Sequence, residues 1–153
     1  MALHLTARTA IPAPLEMCWD RLVDVDTVLE TVPHKRVDIV RSAGTGPASV
    51  GSVWQVALHF AGRDHLGQLT ITELRHGQHC RLDGGTESIG LALGIDLFSL
   101  AADRTSLVVT ADGTPLSLSG RLLLKPLQII KPAIEAKFQD RVEWVVARMM
   151  DTA

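Results

Sequence analysis

The chain has 153 residues, of which 46% are hydrophobic and 21% charged, with a formal net charge of -2. Its length suits a single domain over residues 1–153, and its near-balanced charge offers no basic field for nucleic acid. Uncharged runs stop well short of the ~20 apolar residues that a membrane helix needs. Since no secretory signal is visible either, we expect a cytoplasmic protein without an integral membrane segment.

The first part of the chain predicts a strand, two short helices and a second strand. Leu3–Ile11 has the composition of a strand ended by prolines. Apolar residues recur at helical spacing from Leu15 to Val23, and a second short helix is predicted over Thr27–Thr31. Arg36–Ser42 predicts the next strand, which a glycine-rich loop follows.

The middle of the chain predicts antiparallel hairpins in series. Alternation is clearest from Trp54 to Phe60, where four apolar residues share one face while Gln55 and His59 take the other. Further strands are predicted over Leu66–Leu74, Cys80–Asp83, Ser88–Leu100 and Thr105–Thr110, with turns at Gly62, His76, Gly84 and Asp103.

The chain ends in a long amphipathic helix over Pro132–Met150. At 100° per residue its apolar side chains fall on one narrow face. A preliminary helical segment containing Pro126 precedes it, and we expect a kink near Pro132.

Several short motifs occur in a suggestive order: Ile11-Pro-Ala-Pro before Cys18-Trp19-Asp20, then Val32-Pro33, Val50-Gly51-Ser-Val-Trp54, Asp103-Arg-Thr105 and the amphipathic C-terminus. With this order of elements, the whole chain resembles the START-like helix-grip (SRPBCC) superfamily, which includes polyketide cyclase-like proteins, birch pollen allergen relatives and a small component of carbon monoxide dehydrogenase. The resemblance implies an α+β fold. A curved antiparallel β-sheet, with two short helices near the N-terminus, would grip the long C-terminal helix around a cavity.

The candidate ligand-binding residues are those expected between sheet and helix. They are Trp54, Val56, Leu58, Phe60, Leu91, Leu93, Ile95, Ile134, Phe138, Arg141, Val142 and Val145. Arg141 belongs to a basic flank with Lys137 and Arg148, which would form rim ion pairs or clamp an acidic head group.

No catalytic residue can be identified from the sequence. The spacing of His76 and His79 does not predict a metal site, and no G-x-S-x-G motif marks a hydrolase, so we expect neither metal nor cofactor. Asp96 and His59 are expected to point to solvent, and each would be an acid–base candidate if its face lined the cavity. Cys18 and Cys80 are expected to be buried free thiols.

The favoured function is binding of a small hydrophobic molecule such as a lipid, an isoprenoid or a polyketide-like compound, with transport as an extension of it. One alternative is a polyketide cyclase or dehydratase-like enzyme, and another is a protein-interaction or assembly factor of the same fold. Aromatic residues make up only 4%, with no Tyr, which favours the first reading because aromatic stacking surfaces and phenolic acids are scarce. The sequence leaves the oligomeric state open.

Overall fold

The computed structural model describes residues 2–24, 28, 37–44, 46–60 and 62–151. These ranges contain seven strands: β1 (Leu3–Ile11), β2 (Val37–Ala43), β3 (Val53–Phe60), β4 (Arg63–Arg75), β5 (His79–Thr86), β6 (Ile89–Ala101) and β7 (Arg104–Pro115). They also contain three helices: α1 (Leu15–Val23), α2 (Leu118–Ile129) and α3 (Lys131–Asp151). The second short helix predicted over Thr27–Thr31 and the motif Val32-Pro33 lie almost wholly outside the described residues.

All neighbouring strands pair antiparallel in one sheet of order β1-β7-β6-β5-β4-β3-β2. Strands β2 to β7 form a meander of hairpins, and β1 joins its far edge beside β7. The predicted curved sheet and long C-terminal helix of an α+β helix-grip fold are therefore confirmed.

The sheet bends most sharply where β4 meets β5. A Cβ on Gly67 would overlap the carbonyl oxygen of Gly85, and one on Gly84 would overlap that of Gln68. Only glycine allows such close backbone approach. Because Gly84 and Gly85 take part in this bend, β5 continues through them to Thr86, and the turn predicted there is wrong.

The strand register defines one inward face. Trp54 pairs with Leu69, which pairs in turn with Gly84 and so with Leu91. Since opposite residues in a ladder point the same way, these side chains share a face with Val56 and Leu58. The predicted alternation of β3 and β6 is thus confirmed.

Helix α1 closes one end of this face. Cys18 and Trp19 are buried and pack in a cluster with residues of β1, β6, β7 and α3: Ile11, Leu97, Leu107 and Val146. Trp19 is only 3% exposed, as expected of a core anchor.

Helix α3 covers the free edge of β1. The Arg8 backbone N–H donates to Gln139 Oε1 at 2.9 Å, and Gln139 Nε2 donates to the Arg8 carbonyl at 2.6 Å. The Thr6 N–H donates to Glu135 Oε2 at 3.2 Å. These side chains satisfy backbone groups that an edge strand would otherwise expose.

Helix α2 is fixed against the β5–β6 turn. Ser117 caps it by accepting from the Gly120 N–H at 3.2 Å, and the Leu116 N–H donates to the Ser88 carbonyl at 2.8 Å. A Cβ on Gly120 would overlap that same carbonyl oxygen. The expected break between α2 and α3 falls at Ile130, two residues before the predicted kink at Pro132. None of the described helices is both long and apolar enough to cross a bilayer.

Candidate functional site

A half-enclosed apolar cavity of about 180 Å³ lies between the inward face of β3–β6 and helix α2. Its lining combines aliphatic side chains with glycines and a few polar groups: Val56, Leu58, His65, Gly67, Gln68, Leu69, Gly85, Thr86, Ile89, Leu91 and Leu123. The sheet supplies ten of these residues and α2 supplies Leu123.

The cavity exists because the sheet bends away from the helix at positions that carry no side chain. Gly67 occupies the inward face between Val56 and Thr86 in the ladder. A larger residue there would fill the space and collide with the backbone of β5. The glycines therefore provide both the curvature and the empty volume.

Three polar side chains belong to the residues that line the cavity. Thr86 is engaged locally, since its Oγ1 accepts from the N–H groups of Ser88 at 3.3 Å and Ile89 at 3.2 Å. Gln68 is exposed and marks the rim. His65, which pairs with Leu58 across the ladder, is the one titratable group among the described lining residues. It is therefore the candidate for orienting a polar atom of a ligand.

Three of the predicted ligand-binding residues, Val56, Leu58 and Leu91, line this cavity. Trp54 lies further along β3, in a second buried cluster with Ala48 and Ile71, and the Arg41 guanidinium lies 5.4 Å from its ring centroid.

Other predicted residues of the sheet lie beyond the cavity. Leu93 follows Leu91 on the inward face, and Ile95 packs against the cluster around α1. The side chain of Phe60 lies outside the described part of the structure.

The predicted residues of α3 lie away from the described cavity wall. Ile134, Phe138 and Val145 are half-buried, while Val142 packs against the cluster around α1. Arg141 is exposed and borders a shallow surface depression together with Lys137, Asp140 and Trp144. The break at Ile130 explains this arrangement, because it gives the cavity wall to α2 and the edge of β1 to α3.

Sequence reasoning missed His65, Leu69, Ile89 and Leu123 as cavity residues. The alternation of His65, Gly67 and Leu69 carried the signal, but the predicted strand began one residue after His65. Nothing comparable marked Leu123, because which face of α2 meets the sheet depends on tertiary packing.

Asp96 and His59 both belong to the outward face. Asp96 Oδ1 lies 2.7 Å from Nδ1 of His79. His59 Nδ1 lies 2.5 Å from Asp64 Oδ1, and its Nε2 lies 3.1 Å from Asp38 Oδ2. Hydrogen bonding to Asp64, then to Asp38, raises the pKa of His59. The outward orientation expected for both residues is confirmed, and neither can act on a molecule in the cavity.

Both cysteines are free, as expected. Cys18 is buried in the cluster around α1, and Cys80 packs against the cluster around Trp54. Burial raises the pKa of the Cys80 thiol to about 11. A thiol of such high pKa is a poor nucleophile at neutral pH.

Neither a protein-family model nor a curated protein matches the sequence. Solved structures do match. The aromatase/cyclase ZhuI from Streptomyces sp. R1128 is 17% identical with a TM-score of 0.66, covering 98% of this chain and 94% of that one. The protein TTHA0849 from Thermus thermophilus is 13% identical with a TM-score of 0.70, covering 98% and 99%. The chain has the START-like helix-grip fold.

A third helix-grip structure is norcoclaurine synthase from Thalictrum flavum, solved in complex with dopamine and hydroxybenzaldehyde. It is 9% identical with a TM-score of 0.63, and the match covers 100% of this chain and 89% of that one. The resemblance seen in the sequence is thus confirmed as a shared fold. At these identities the fold alone is shared, and a fold does not determine an activity.

Proposed function

We propose that this helix-grip domain binds a small hydrophobic molecule in the cavity between β3–β6 and α2. The observation that carries the proposal is the lining, in which aliphatic side chains surround a preformed space and polar groups are few. Such concave, mostly apolar sites with a few placed polar groups are typical of small-molecule binding sites. The cyclase and the synthase that share the fold are consistent with this class of ligand.

The dimensions favour a slender ligand. On the measure by which one water needs ~10–15 Å³, 180 Å³ holds roughly a dozen waters. A single acyl or isoprenoid chain, or one ring of a polyketide-like compound, matches such a space. His65 would then receive the polar end of the ligand, because it is the titratable group among the described lining residues.

Filling the cavity tests the proposal. Val56→Phe enlarges a lining residue, whereas Gln55→Phe makes the same new side chain on the exposed, outward face of the same strand. With a fluorescent fatty acid as the probe, we expect Val56→Phe to weaken binding at least tenfold and Gln55→Phe to leave it unchanged. Equal binding by both variants would disprove the cavity as the site.

His65 also supports a second candidate, the cyclase or dehydratase-like enzyme. An imidazole beside an apolar space can act as general acid or base near neutral pH. Under that reading, His65→Gln would abolish turnover of a polyketide-like substrate yet retain its binding. If His65→Gln changes binding alone, the residue positions a ligand without chemistry.

The remaining proposals concern the surroundings of the protein. Two free cysteines suit the reducing cytoplasm expected from the sequence. The interaction or assembly role becomes the better reading if no hydrophobic probe binds the parent protein.

A further inference from the structure

The outward face of α2 carries an uncovered apolar stripe. Leu118, Leu122 and Ile129 are 72%, 66% and 78% exposed, and at 100° per residue they lie within about 40° of one another around the helix. Leu123, on the other side of the same helix, lines the cavity. Helix α2 thus separates the cavity from the surface on which the stripe lies.

The charges beside this stripe have one sign. Residues 113–134 contain no Asp or Glu but include Arg121, Lys125 and Lys131. Arg121 and Lys125 are exposed on α2 itself. This segment is cationic within a chain whose net charge is -2, so the positive charge is concentrated next to the exposed leucines.

We propose that this apolar-basic face of α2, formed by Leu118, Arg121, Leu122, Lys125 and Ile129, docks on an anionic lipid bilayer. A helix with an apolar stripe and basic flanks binds at a membrane interface by burying the stripe among the lipids while its cations face the anionic head groups.

A second copy of the chain fits this face less well. A two-fold contact would set the same cations of two copies against each other. The face of a 12-residue helix, about 18 Å long and 10 Å wide, offers only ~180 Å². A stable protein interface buries about 800 Å² on each partner.

The functional meaning of docking rests on the proposed ligand binding. Because Leu123 lies in the cavity wall, a docked α2 would hold the cavity next to the bilayer in which lipid-like molecules reside. Docking itself can be measured without any ligand, so the two proposals fail separately.

The test is flotation of the full chain with vesicles, either of phosphatidylcholine alone or of equal parts phosphatidylcholine and phosphatidylglycerol. We expect flotation with the mixed vesicles, weakened by added salt. Arg121→Gln/Lys125→Gln should lower partitioning onto the mixed vesicles about 30-fold, from the attraction expected per cation. Leu118→Ser/Leu122→Ser should lower it at least tenfold.

Matched controls lie at the far end of the sheet. Leu100 is 56% exposed and sits about 35 Å along β6 from Ile89. Arg75 and Arg104 are exposed near the same end. Leu100→Ser and Arg75→Gln/Arg104→Gln should float like the parent.

Three results would overturn membrane docking: a parent that does not float with the mixed vesicles, α2 variants that float as well as the parent, or controls that lose as much as the α2 variants. A fourth would assign the face to a second copy instead. In that case, sedimentation without vesicles would show a dimer that Leu118→Ser/Leu122→Ser converts to a monomer.

Discussion

Adjacent leucines on α2 offer a direct comparison between closed core and cavity wall. Leu124 is 3% exposed, and its Cδ2 lies 3.7 Å from where a Cβ on Gly113 would stand, so it is packed against the sheet. Leu123 borders the cavity. Both substitutions to Ala remove the same atoms from the same helix and change helix propensity equally.

Leu124→Ala should cost ~3 to 5 kcal/mol, because it creates a cavity in a closed core. Leu123→Ala should cost about 1 kcal/mol, since the side chain already lacks contacts on its cavity side. For a domain of this length, each 1 kcal/mol lowers Tm by about 2–4 °C. Thermal melts followed by circular dichroism should therefore separate the variants by roughly 4–16 °C.

Binding gives the second half of this test. Leu123→Ala changes the shape of the cavity and should alter affinity for a fluorescent fatty acid, whereas Leu124→Ala should retain the affinity of the parent in the fraction that is folded. Equal loss of stability in the two variants would refute the reasoning, because it would mean that the space beside Leu123 is filled in solution.

Three further outcomes follow from the described contacts. Gly51 has φ of 94° with open space where a Cβ would stand, so Gly51→Val should destabilise through backbone strain alone, by about 1–3 kcal/mol in urea unfolding; an unchanged midpoint would exclude strain. The raised pKa of His59 gives stability that is full below its unfolded pKa of ~6.5 and is lost as pH rises through the folded value, so the Tm advantage of the parent over His59→Gln should be larger at acid pH than at alkaline pH, and the reverse order would contradict the pairing with Asp64. Cys80 should react slowly with a thiol-specific disulfide reagent at neutral pH and quickly once the chain is unfolded in urea, because burial raises its pKa to about 11; fast reaction of the folded protein would place it in an exposed site.

The strands were predictable where period two was clean. In β3 the alternation of Trp54, Val56 and Leu58 was enough to identify the inward face. Alternation failed at β5, where Gly84 and Gly85 look like a turn in the sequence but serve as bending points inside a continuous strand. Local composition cannot separate these roles, since both require a residue without a Cβ and only the partner strand decides between them.

The position of the cavity along the C-terminal helices depends on a balance that no single segment encodes. The apolar face of α3 predicted a ligand surface around Phe138, yet Gln139 and Glu135 fix that helix to β1 through backbone hydrogen bonds. Those bonds satisfy an edge strand that would otherwise remain open, so α3 is held at the rim of the sheet. The wall over the bent centre then falls to α2, whose Gly120 allows it to approach the β5–β6 turn closely enough for Leu123 to reach the cavity. A larger residue at Gly120 would push α2 outward, and that single position therefore couples the closure of the cavity to the placement of the apolar-basic face on its other side.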